Sequence, residues 1–492
     1  MKKIAVIGSG FSGLSAACFM AKYGQDVTVF EKNSSIGGRA REFSADGFTY
    51  DMGPSWYWMP DIMENFFAQF GMHPRDFYTL VRLDPGFQMI FGKDDVLQVP
   101  ADADAISQMF EQIEMGSAVK LKKFLAEGRY KYEVGMQELV YKPAFSWLEF
   151  ANRRVVMGAA KLQLLTSMRA HVRRYFKDER LVALLEFPVL FLGATARQIP
   201  ALYSLMNYAA LSQGTWYPMG GMGETIKAMN NLGRSLGVEV VTDCDVRRIN
   251  IRGGRSVSIG TEKGEFYSDG IIATGDYHHT EQQLLDESYR NYNATYWEKR
   301  TLAPSCLIFY VGVNKKLKKL IHHNLFFDTC LEKHASQIYT VPEWPTDPLF
   351  YVCCPSKTDS AVAPVGMENL FILMPIAPGL EDTAETRERY FLVMISRMEK
   401  LCDESILPHV VYKKSYCVRD FVNDYHAYKG NAYGLANTLR QTAVLKPTLR
   451  NKKVKNLFYA GQLTVPGPGM PPAIISGQIA ATQLSKYLNE NR

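Results

Sequence analysis

The chain has 492 residues, of which 47% are hydrophobic and 22% are charged. This is ordinary globular composition, so it excludes a wholly disordered chain, and the length allows a large core without metals or disulfides. The net charge is +6, from 56 Lys and Arg against 50 Asp and Glu. So weak a charge does not predict nucleic-acid binding, and it would not oppose contact with an anionic membrane.

Cysteine spacing and hydropathy indicate a cytoplasmic protein. None of the eight cysteines forms a C-x-x-C pair, which predicts reduced thiols, no disulfide framework and no structural zinc. No apolar run reaches the roughly 18 residues that a membrane-spanning helix needs. The lysine-led N-terminus looks superficially like a signal peptide, but three glycines interrupt it.

The first thirty or so residues predict a strand–turn–helix–strand unit. Residues 3–7 form a short apolar run, residues 14–23 have helical spacing, and residues 26–31 are rich in β-branched and aromatic side chains. A glycine turn at residues 8–13 separates the first strand from the helix. This order is typical of a βαβ unit.

The turn carries a dinucleotide-binding fingerprint, Gly8-Ser9-Gly10-Phe11-Ser12-Gly13. Gly8 permits a tight turn, Gly10 lets the backbone approach a pyrophosphate, and Gly13 lets the helix pack close to the sheet. Glu31 ends the second strand and is placed to accept hydrogen bonds from ribose hydroxyls, which argues against NADP. The alternative is a glycine-rich turn in an unrelated α/β fold.

Further along the chain, nucleotide-type segments return in the middle and at the end. The remaining predicted elements are a turn and strand pair at 37–51, β-structure at 80–99, mainly helix at 102–186, a helix at 200–211, strands at 238–241, 246–251 and 266–274, mainly strands at 305–376, a strand at 456–460 and a helix at 473–488. We therefore predict a discontinuous nucleotide domain, 1–75, 231–285 and 441–492. Inserted in it are a mainly helical region, 76–230, and a sheet domain, 286–440.

Two further segments favour FAD over NAD. Gly37-Gly38-Arg39 follows the second strand closely and resembles the extended fingerprint of FAD-dependent oxidoreductases. Pro466-Gly467-Pro468-Gly469 follows the last strand and precedes a helix that begins near two prolines. Backbone N–H groups there could meet ribityl, pyrophosphate or flavin oxygens. The alternatives are a Schellman-type glycine turn and an ordinary proline-rich turn.

From end to end, the motifs resemble those of the bacterial-type phytoene desaturases, a branch of the flavin carotenoid desaturases. Besides those already given, the matching residues are Asp51-Met52-Gly53-Pro54-Ser55, Trp216-Tyr217-Pro218 with Gly220-Gly221-Met222-Gly223, Asp276 with His278-His279, Asp359 with Ala363-Pro364 and Gly366, Gly430 with Ala432 and Gly434, Asn456-Leu457-Phe458, and Pro466-Gly467 with Gly469 and Pro471. The chain departs from the wider superfamily at Gln462, where relatives often carry an acid.

The resemblance implies an α/β fold: a Rossmann-like FAD-binding domain of the amine-oxidase and carotenoid-desaturase type, an inserted mixed-sheet substrate domain and a helical membrane-associated region. It also implies noncovalent FAD, peripheral attachment to a membrane, and hydride transfer from a long polyene to the flavin. Val246 should lie near the adenine and Gly53–Ser55 near the flavin ring. The cofactor residues expected are Gly8, Ser9, Gly10, Phe11, Ser12, Gly13, Glu31, Lys32, Gly38, Arg39, Gly53, Pro54, Ser55, Val246, Gly461, Gln462, Gly469, Met470 and Pro471.

Catalytic and substrate residues have weaker signals. The resemblance suggests an acid and an arginine in the inserted region, which we assign to Glu149 and Arg154; the alternative is a solvated pair on a helix surface. The resemblance favours an apolar tunnel, whereas composition alone favours an ordinary helical core. The residues concerned are Phe187, Leu190, Phe191, Leu192, Tyr203, Met206 and Tyr208. The basic stretch 153–180 fits either a membrane-docking surface or a solvated helix face.

Metal ligation is not expected. His278-His279 and His322-His323 are adjacent pairs, and adjacent side chains point in different directions on a helix or a strand.

We therefore predict an FAD-dependent carotenoid desaturase, with phytoene as the first choice of substrate. The alternatives are a 1-hydroxy-carotenoid 3,4-desaturase, a carotenoid isomerase or oxygenase, a flavin amine oxidase, and a flavin-free binder of prenylated proteins.

Overall fold

A computed structural model describes residues 1–150 and 162–490. Nineteen strands are named in this part of the chain. They are β1 (Lys3–Ile7), β2 (Asp26–Phe30), β3 (Glu42–Ala45), β4 (Phe48–Asp51), β5 (Leu80–Arg82), β6 (Phe87–Gly92), β7 (Asp95–Val99), β8 (Trp216–Pro218), β9 (Glu239–Val241), β10 (Val246–Arg252), β11 (Arg255–Thr261), β12 (Gly264–Tyr267), β13 (Gly270–Ala273), β14 (Ser305–Val313), β15 (His323–Phe326), β16 (Phe350–Cys353), β17 (Glu368–Ile376), β18 (Val410–Tyr416) and β19 (Leu457–Tyr459).

The α-helices of the same part begin directly after the fingerprint turn and end at the C-terminal helix. They are α1 (Phe11–Lys22), α2 (Pro60–Ala68), α3 (Ala103–Ile113), α4 (Ser117–Val134), α5 (Met168–Tyr175), α6 (Glu179–Glu186), α7 (Leu205–Tyr208), α8 (Gly223–Ser235), α9 (Tyr277–Gln283), α10 (Ala294–Glu298), α11 (Leu331–Tyr339), α12 (Ala384–Cys402), α13 (Val418–Tyr425) and α14 (Met470–Glu490). Within the described ranges, none of them combines the length and the hydropathy needed to cross a bilayer.

A five-stranded parallel sheet collects strands from four distant parts of the chain. Its order is β19-β13-β1-β2-β9, and every neighbouring pair is parallel. Four of the five residues of β1 are buried, as expected for a strand covered by helices on both faces. Helix α1 follows β1 and packs along α14, so the first and last helices of the chain lie side by side on this sheet.

A seven-stranded mixed sheet forms the second layer. Its order is β18-β14-β17-β16-β15-β6-β7, antiparallel except for the parallel pair of β15 and β6. Side chains alternate across β14: Phe309 joins a core with α12, whereas Ile308 and Tyr310 join a core with the helices of the inserted segment. The mixed sheet predicted from the sequence is therefore present.

Two predicted elements differ from the structure. Residues 266–274 are not one strand, because β12 belongs to a three-stranded antiparallel sheet and β13 to the parallel sheet. All four residues of β13 are buried, whereas β12 is mostly exposed. The apolar pattern that suggested one strand therefore covers two strands with different surroundings. The helix predicted at 200–211 is divided into a 3₁₀ turn (Ala201–Ser204), α7 and a π turn (Ala209–Gln213).

All eight cysteines lie in the described ranges as free thiols, and seven of them are buried.

Candidate functional site

A cavity of about 760 Å³ runs from the fingerprint turn to apolar side chains of residues 136–150 and of α7. Of the nineteen cofactor residues expected from the sequence, all but Gly13 line it. Those lining residues are Gly8, Ser9, Gly10, Phe11, Ser12, Glu31, Lys32, Gly38, Arg39, Gly53, Pro54, Ser55, Val246, Gly461, Gln462, Gly469, Met470 and Pro471. The fold thus brings residues from distant parts of the sequence to the wall of one cavity.

Gly10 and Gly13, the second and third glycines of the fingerprint, are in different surroundings. A Cβ added to Gly13 would lie 1.9 Å from the carbonyl oxygen of Gly8, so this residue lets α1 pack directly against the turn. A Cβ added to Gly10 would meet no protein atom closer than 3.9 Å. Gly10 faces the cavity, where backbone without a side chain leaves room for a ligand.

Glu31 holds the turn in place. One carboxylate oxygen, Oε2, accepts hydrogen bonds from the Ser9 backbone N–H (2.9 Å) and the Ser9 hydroxyl (2.6 Å). The other, Oε1, accepts from the backbone and side-chain nitrogens of Asn33, both at 2.9 Å. The carboxylate is nearly completely buried but still lines the cavity, so it connects the end of β2 to the fingerprint.

Arg39 places a buried guanidinium on the cavity wall. Its Nη2 donates to the Asn431 carbonyl oxygen at 3.1 Å, and its Cζ lies 5.0 Å from the Tyr425 ring centroid. Burial lowers its pKa, an effect that the nearby Asp276 carboxylate opposes. The Nε atom is buried and has no hydrogen-bond partner among residues 1–150 and 162–490. An unsatisfied buried cationic donor on a cavity wall is suited to an anionic or electron-rich ligand.

Gln462 connects Arg39 to the C-terminal motif. With its amide oxygen turned towards Arg39, Gln462 accepts a hydrogen bond from Arg39 Nη2 at 3.0 Å and donates one to the Ala432 carbonyl oxygen at 3.1 Å; in the opposite orientation, its Nε2 donates to Asn431 Oδ1 at 2.9 Å. The position that often carries an acid in the wider superfamily therefore carries a neutral amide beside this arginine.

The last helix, α14, begins at the cavity. Met470 and Pro471 open the helix and line the wall, so the positive end of the helix dipole lies beside the cavity and favours negative charge. Because residues 471 and 472 are prolines, Met470 is the one residue of the first three in this helix with a backbone N–H. A Cβ added to Gly477 would lie 2.2 Å from the carbonyl oxygen of Ser12. Gly477 thus allows α14 to pack against the start of α1. Sequence analysis missed it because a lone glycine within a helix gives no local signal.

Asp51 joins the two motif segments at 51–55 and 216–223. Its carboxylate accepts hydrogen bonds from the backbone N–H groups of Met222 (2.8 Å) and Gly223 (3.0 Å), at the start of α8. Burial raises its pKa to about 7, although the two backbone donors oppose the shift. This contact fixes the strand that leads into Gly53 and Ser55.

A histidine pair lies at the end of the cavity that Val246 lines, and sequence analysis did not find it. The rings of His279 and His426 stack with centroids 3.9 Å apart, and His426 Nε2 lies 3.4 Å from Asp245 Oδ1. All three residues line the cavity. Burial lowers the pKa of His279 to about 4. The two histidines are 147 positions apart in the printed sequence, so only the fold shows the pair.

The other end of the cavity is apolar. Its walls include Met136, Leu139, Val140, Trp147, Phe150, Leu162, Leu164, Leu192, Leu202, Tyr203, Leu205 and Met206. Three of the residues expected in a tunnel, Leu192, Tyr203 and Met206, are therefore at the cavity. Phe187 instead contacts Trp56 and Phe87 in the core beside it, and Leu190 and Tyr208 also pack in cores. The side chain of Phe191 lies outside the described part.

Glu149 is near the cavity without lining it. Its carboxylate accepts three backbone hydrogen bonds, from Ala144 (3.0 Å), Phe145 (2.8 Å) and Ser146 (3.0 Å), and so closes the turn before the short 3₁₀ helix Trp147–Phe150. Arg154 lies outside the described residues. Catalytic roles for both stay predictions.

The residues of this site fit FAD. The unpartnered donor of Arg39, the open space before Gly10 and the start of α14 are suited to a pyrophosphate-containing dinucleotide. The cavity then continues into the apolar walls, which suit a hydrocarbon.

Comparison with known proteins agrees with this chemistry. The model of the family described as flavin containing amine oxidoreductase matches residues 11–485. A carotenoid 3,4-desaturase of Haloarcula japonica is 40% identical over 98% of this chain and 97% of its own length. A zeta-carotene-forming phytoene desaturase of Myxococcus xanthus is 31% identical over 99% of this chain and 94% of its own.

Solved structures show the same fold. An oxidoreductase from Methanosarcina mazei matches with a TM-score of 0.65 and 16% identity, over 96% of this chain and 98% of that one. Wild-type putrescine oxidase bound to putrescine matches with a TM-score of 0.62 and 14% identity, over 98% of each chain. The chain therefore belongs to the flavin-containing amine oxidoreductase family, as an FAD-dependent flavoprotein of its carotenoid desaturase branch.

Proposed function

We propose that this protein is an FAD-dependent carotenoid desaturase that removes two hydrogens from adjacent carbons of a long polyene. The observation that carries the proposal is the continuity of the cavity, in which the fingerprint turn and a wall of apolar side chains line the same space. A hydrocarbon has no polar handle, so only shape and apolar contact can position it.

Desaturation at a 3,4 bond is the first candidate reaction, and phytoene desaturation is the second. The 3,4-desaturase relative is 40% identical, compared with 31% for the zeta-carotene-forming phytoene desaturase. This difference reverses the order of preference drawn from the motifs. Phytoene stays a candidate because that second relative matches 99% of the chain.

Gly10, Glu31, Arg39 and the first residues of α14 would hold the cofactor in this reaction, and FAD supplies the two-electron acceptor when bound. Leu192, Leu205 and neighbouring apolar side chains would exclude water and align the polyene. The described carboxylates on the cavity wall are Glu31, Asp245, Asp276 and Asp424, which come from the nucleotide-type segments and α13, not from the helical segment.

Glu149 and Arg154 stay proposed catalytic residues. To act as a base, Glu149 would have to release backbone donors that it now binds. A Glu149→Gln variant that retains FAD but loses most of its turnover would support a catalytic role. Unchanged turnover would assign Glu149 to the turn alone.

The helical region 76–230 is proposed to contact the membrane, and the sheet region 286–440 to complete the substrate-binding domain. Large apolar side chains are exposed near the apolar end: Trp147 (61%), Leu148 (82%) and Leu165 (93%). Trp147 also lines the cavity, so this patch adjoins the substrate space. Co-sedimentation with anionic liposomes should fall in Trp147→Glu and Leu165→Glu. Val365→Glu, at another fully exposed apolar residue, is the matched control.

The decisive experiment offers substrates in liposomes to FAD-loaded protein and separates the products by chromatography with absorbance detection. Conversion of a 1-hydroxy carotenoid to a product longer by one double bond, with phytoene unchanged, supports 3,4-desaturation. Conversion of phytoene to coloured products supports the second candidate. If flavin-bearing protein converts neither and instead oxidises an amine, the proposal fails.

A further inference from the structure

A buried cluster of nitrogen and sulfur donors lies behind the cavity wall. It consists of His322, His323 and Cys353, whose exposed fractions are 3%, 0% and 2%. One potential ligand atom from each residue lies within 4.8 Å of the others. His323 and Cys353 are paired across β15 and β16. This inference does not depend on the proposed carotenoid substrate.

The two imidazoles are close together, contrary to what their adjacency in the sequence suggested. Their ring centroids are 4.5 Å apart. His322 precedes the first residue of β15, so the strict alternation of a strand does not apply to the pair. By contrast, His278 and His279 point to different partners, Tyr428 and His426.

The hydrogen bonds define which nitrogen of His323 is free. Its Nδ1 lies 2.6 Å from the Tyr351 hydroxyl, and that hydroxyl donates its proton to Ser55 Oγ at 3.0 Å. In the tautomer that carries its proton on Nδ1, the Tyr351 oxygen accepts from Nδ1–H and Nε2 keeps a lone pair. This Nε2 is buried and has no hydrogen-bond partner among the described residues.

His322 shows the same pattern. Its Nδ1 lies 2.7 Å from Thr358 Oγ1, and its buried Nε2 has no partner among the described residues. A buried nitrogen without a hydrogen bond is unfavourable unless a ligand binds it. An imidazole nitrogen with a free lone pair is a common metal ligand.

We propose that His322, His323 and Cys353 bind one thiophilic transition-metal ion of the zinc type. Two imidazole nitrogens and one thiolate are a donor set that Zn²⁺ prefers. The hydroxyls of Thr358 and Tyr351 act as the outer partners that usually orient metal-binding histidines. The fourth position would be taken by a water molecule, as in zinc sites with three protein ligands.

Metal binding would stiffen the wall of the large cavity. The ion would join β15 to β16, and the chain of contacts from His323 through Tyr351 reaches Ser55, which lines that cavity. Binding converts the Cys353 thiol to a thiolate and releases its proton to solvent as the metal–sulfur bond forms.

The test uses FAD-loaded protein purified on a metal-free resin, in a Cys330→Ser background that removes the exposed thiol. Zn²⁺ is titrated in competition with a chromogenic chelator, and Co²⁺ binding is followed through its thiolate charge-transfer absorption. One ion per chain is expected. Binding and the Co²⁺ band should be lost in Cys353→Ser and retained in Cys354→Ser, a substitution at the adjacent buried cysteine.

A second variant keeps the test informative if Cys353→Ser does not fold. Thr358→Val should weaken zinc binding about 10–100-fold while leaving FAD content unchanged, and Thr358→Ser should restore the affinity. The proposal is overturned if the parent protein binds no ion, if binding survives Cys353→Ser, or if Thr358→Val binds zinc as tightly as its parent.

Discussion

Alanine substitutions at Gly10 and Gly13, the second and third glycines of the fingerprint, should affect different properties of the protein. In Gly13→Ala, the new Cβ would lie 1.9 Å from the Gly8 carbonyl oxygen and 2.8 Å from Thr274 Oγ1. Both distances are far inside van der Waals contact, and the first involves backbone, which cannot rotate away. Overpacking of this kind costs about 1–3 kcal/mol or more, so the FAD-free protein itself should unfold at a lower temperature.

Gly10→Ala should leave the FAD-free protein almost unchanged. Its nearest contact would be 3.9 Å away, and its φ of −71° suits alanine. Alanine lowers the conformational entropy of the unfolded chain, which should stabilise the FAD-free variant by about 0.4–1 kcal/mol. The methyl group would instead occupy space reserved for the cofactor, so FAD affinity should fall at least about tenfold, which is about 1.4 kcal/mol.

Thermal unfolding of the FAD-free variants and fluorescence titration with FAD separate the two effects. Gly92→Ala is a control for both, because its Cβ would make one ordinary contact at 3.8 Å, far from the fingerprint. The reasoning is refuted if Gly13→Ala unfolds at the parent temperature, or if Gly10→Ala binds FAD as tightly as the parent does.

Three further predictions concern buried polar groups. Glu31→Ala removes the acceptor that holds Ser9, so equilibrium dialysis should show weaker FAD binding; unchanged occupancy at limiting FAD would contradict the ribose and turn roles. Burial lowers the pKa of His334 to about 4 in the folded protein, compared with about 6.5 in the unfolded chain. The contribution of neutral His334 to stability is therefore complete above about pH 6.5 and is lost as the pH falls towards 4. His334→Gln should therefore flatten the acid side of the stability–pH curve, and an equally steep curve would refute this. Arg169→Met leaves the buried carboxylate of Glu186 without its bidentate partner (3.0 and 2.8 Å), so the free energy of unfolding measured by chemical denaturation should fall by about 3–5 kcal/mol. The double variant with Glu186→Leu should recover most of this stability. A double variant as unstable as Arg169→Met would count against the argument.

Local chemistry determined the parts of the site that sequence analysis found. The fingerprint, Glu31 and the C-terminal glycines are recognisable because a tight turn between a strand and a helix restricts its residues wherever it occurs. The strands of the mixed sheet are also recognisable from the sequence, because they have strong apolar runs. The cysteine spacing likewise indicates free thiols without knowledge of the fold. These features depend on neighbours in the chain, so a single sequence carries them.

Tertiary structure decided what depends on residues far apart in the chain. The apolar pattern of residues 266–274 could not show that β12 and β13 enter different sheets, because sheet membership depends on distant partners. The stack of His279 on His426 and the convergence of His322 with His323 and Cys353 depend on strand register and on where strands begin. The sequence determined the nucleotide turn, whereas only packing could join it to an apolar cavity, because that cavity exists between elements and in none of them.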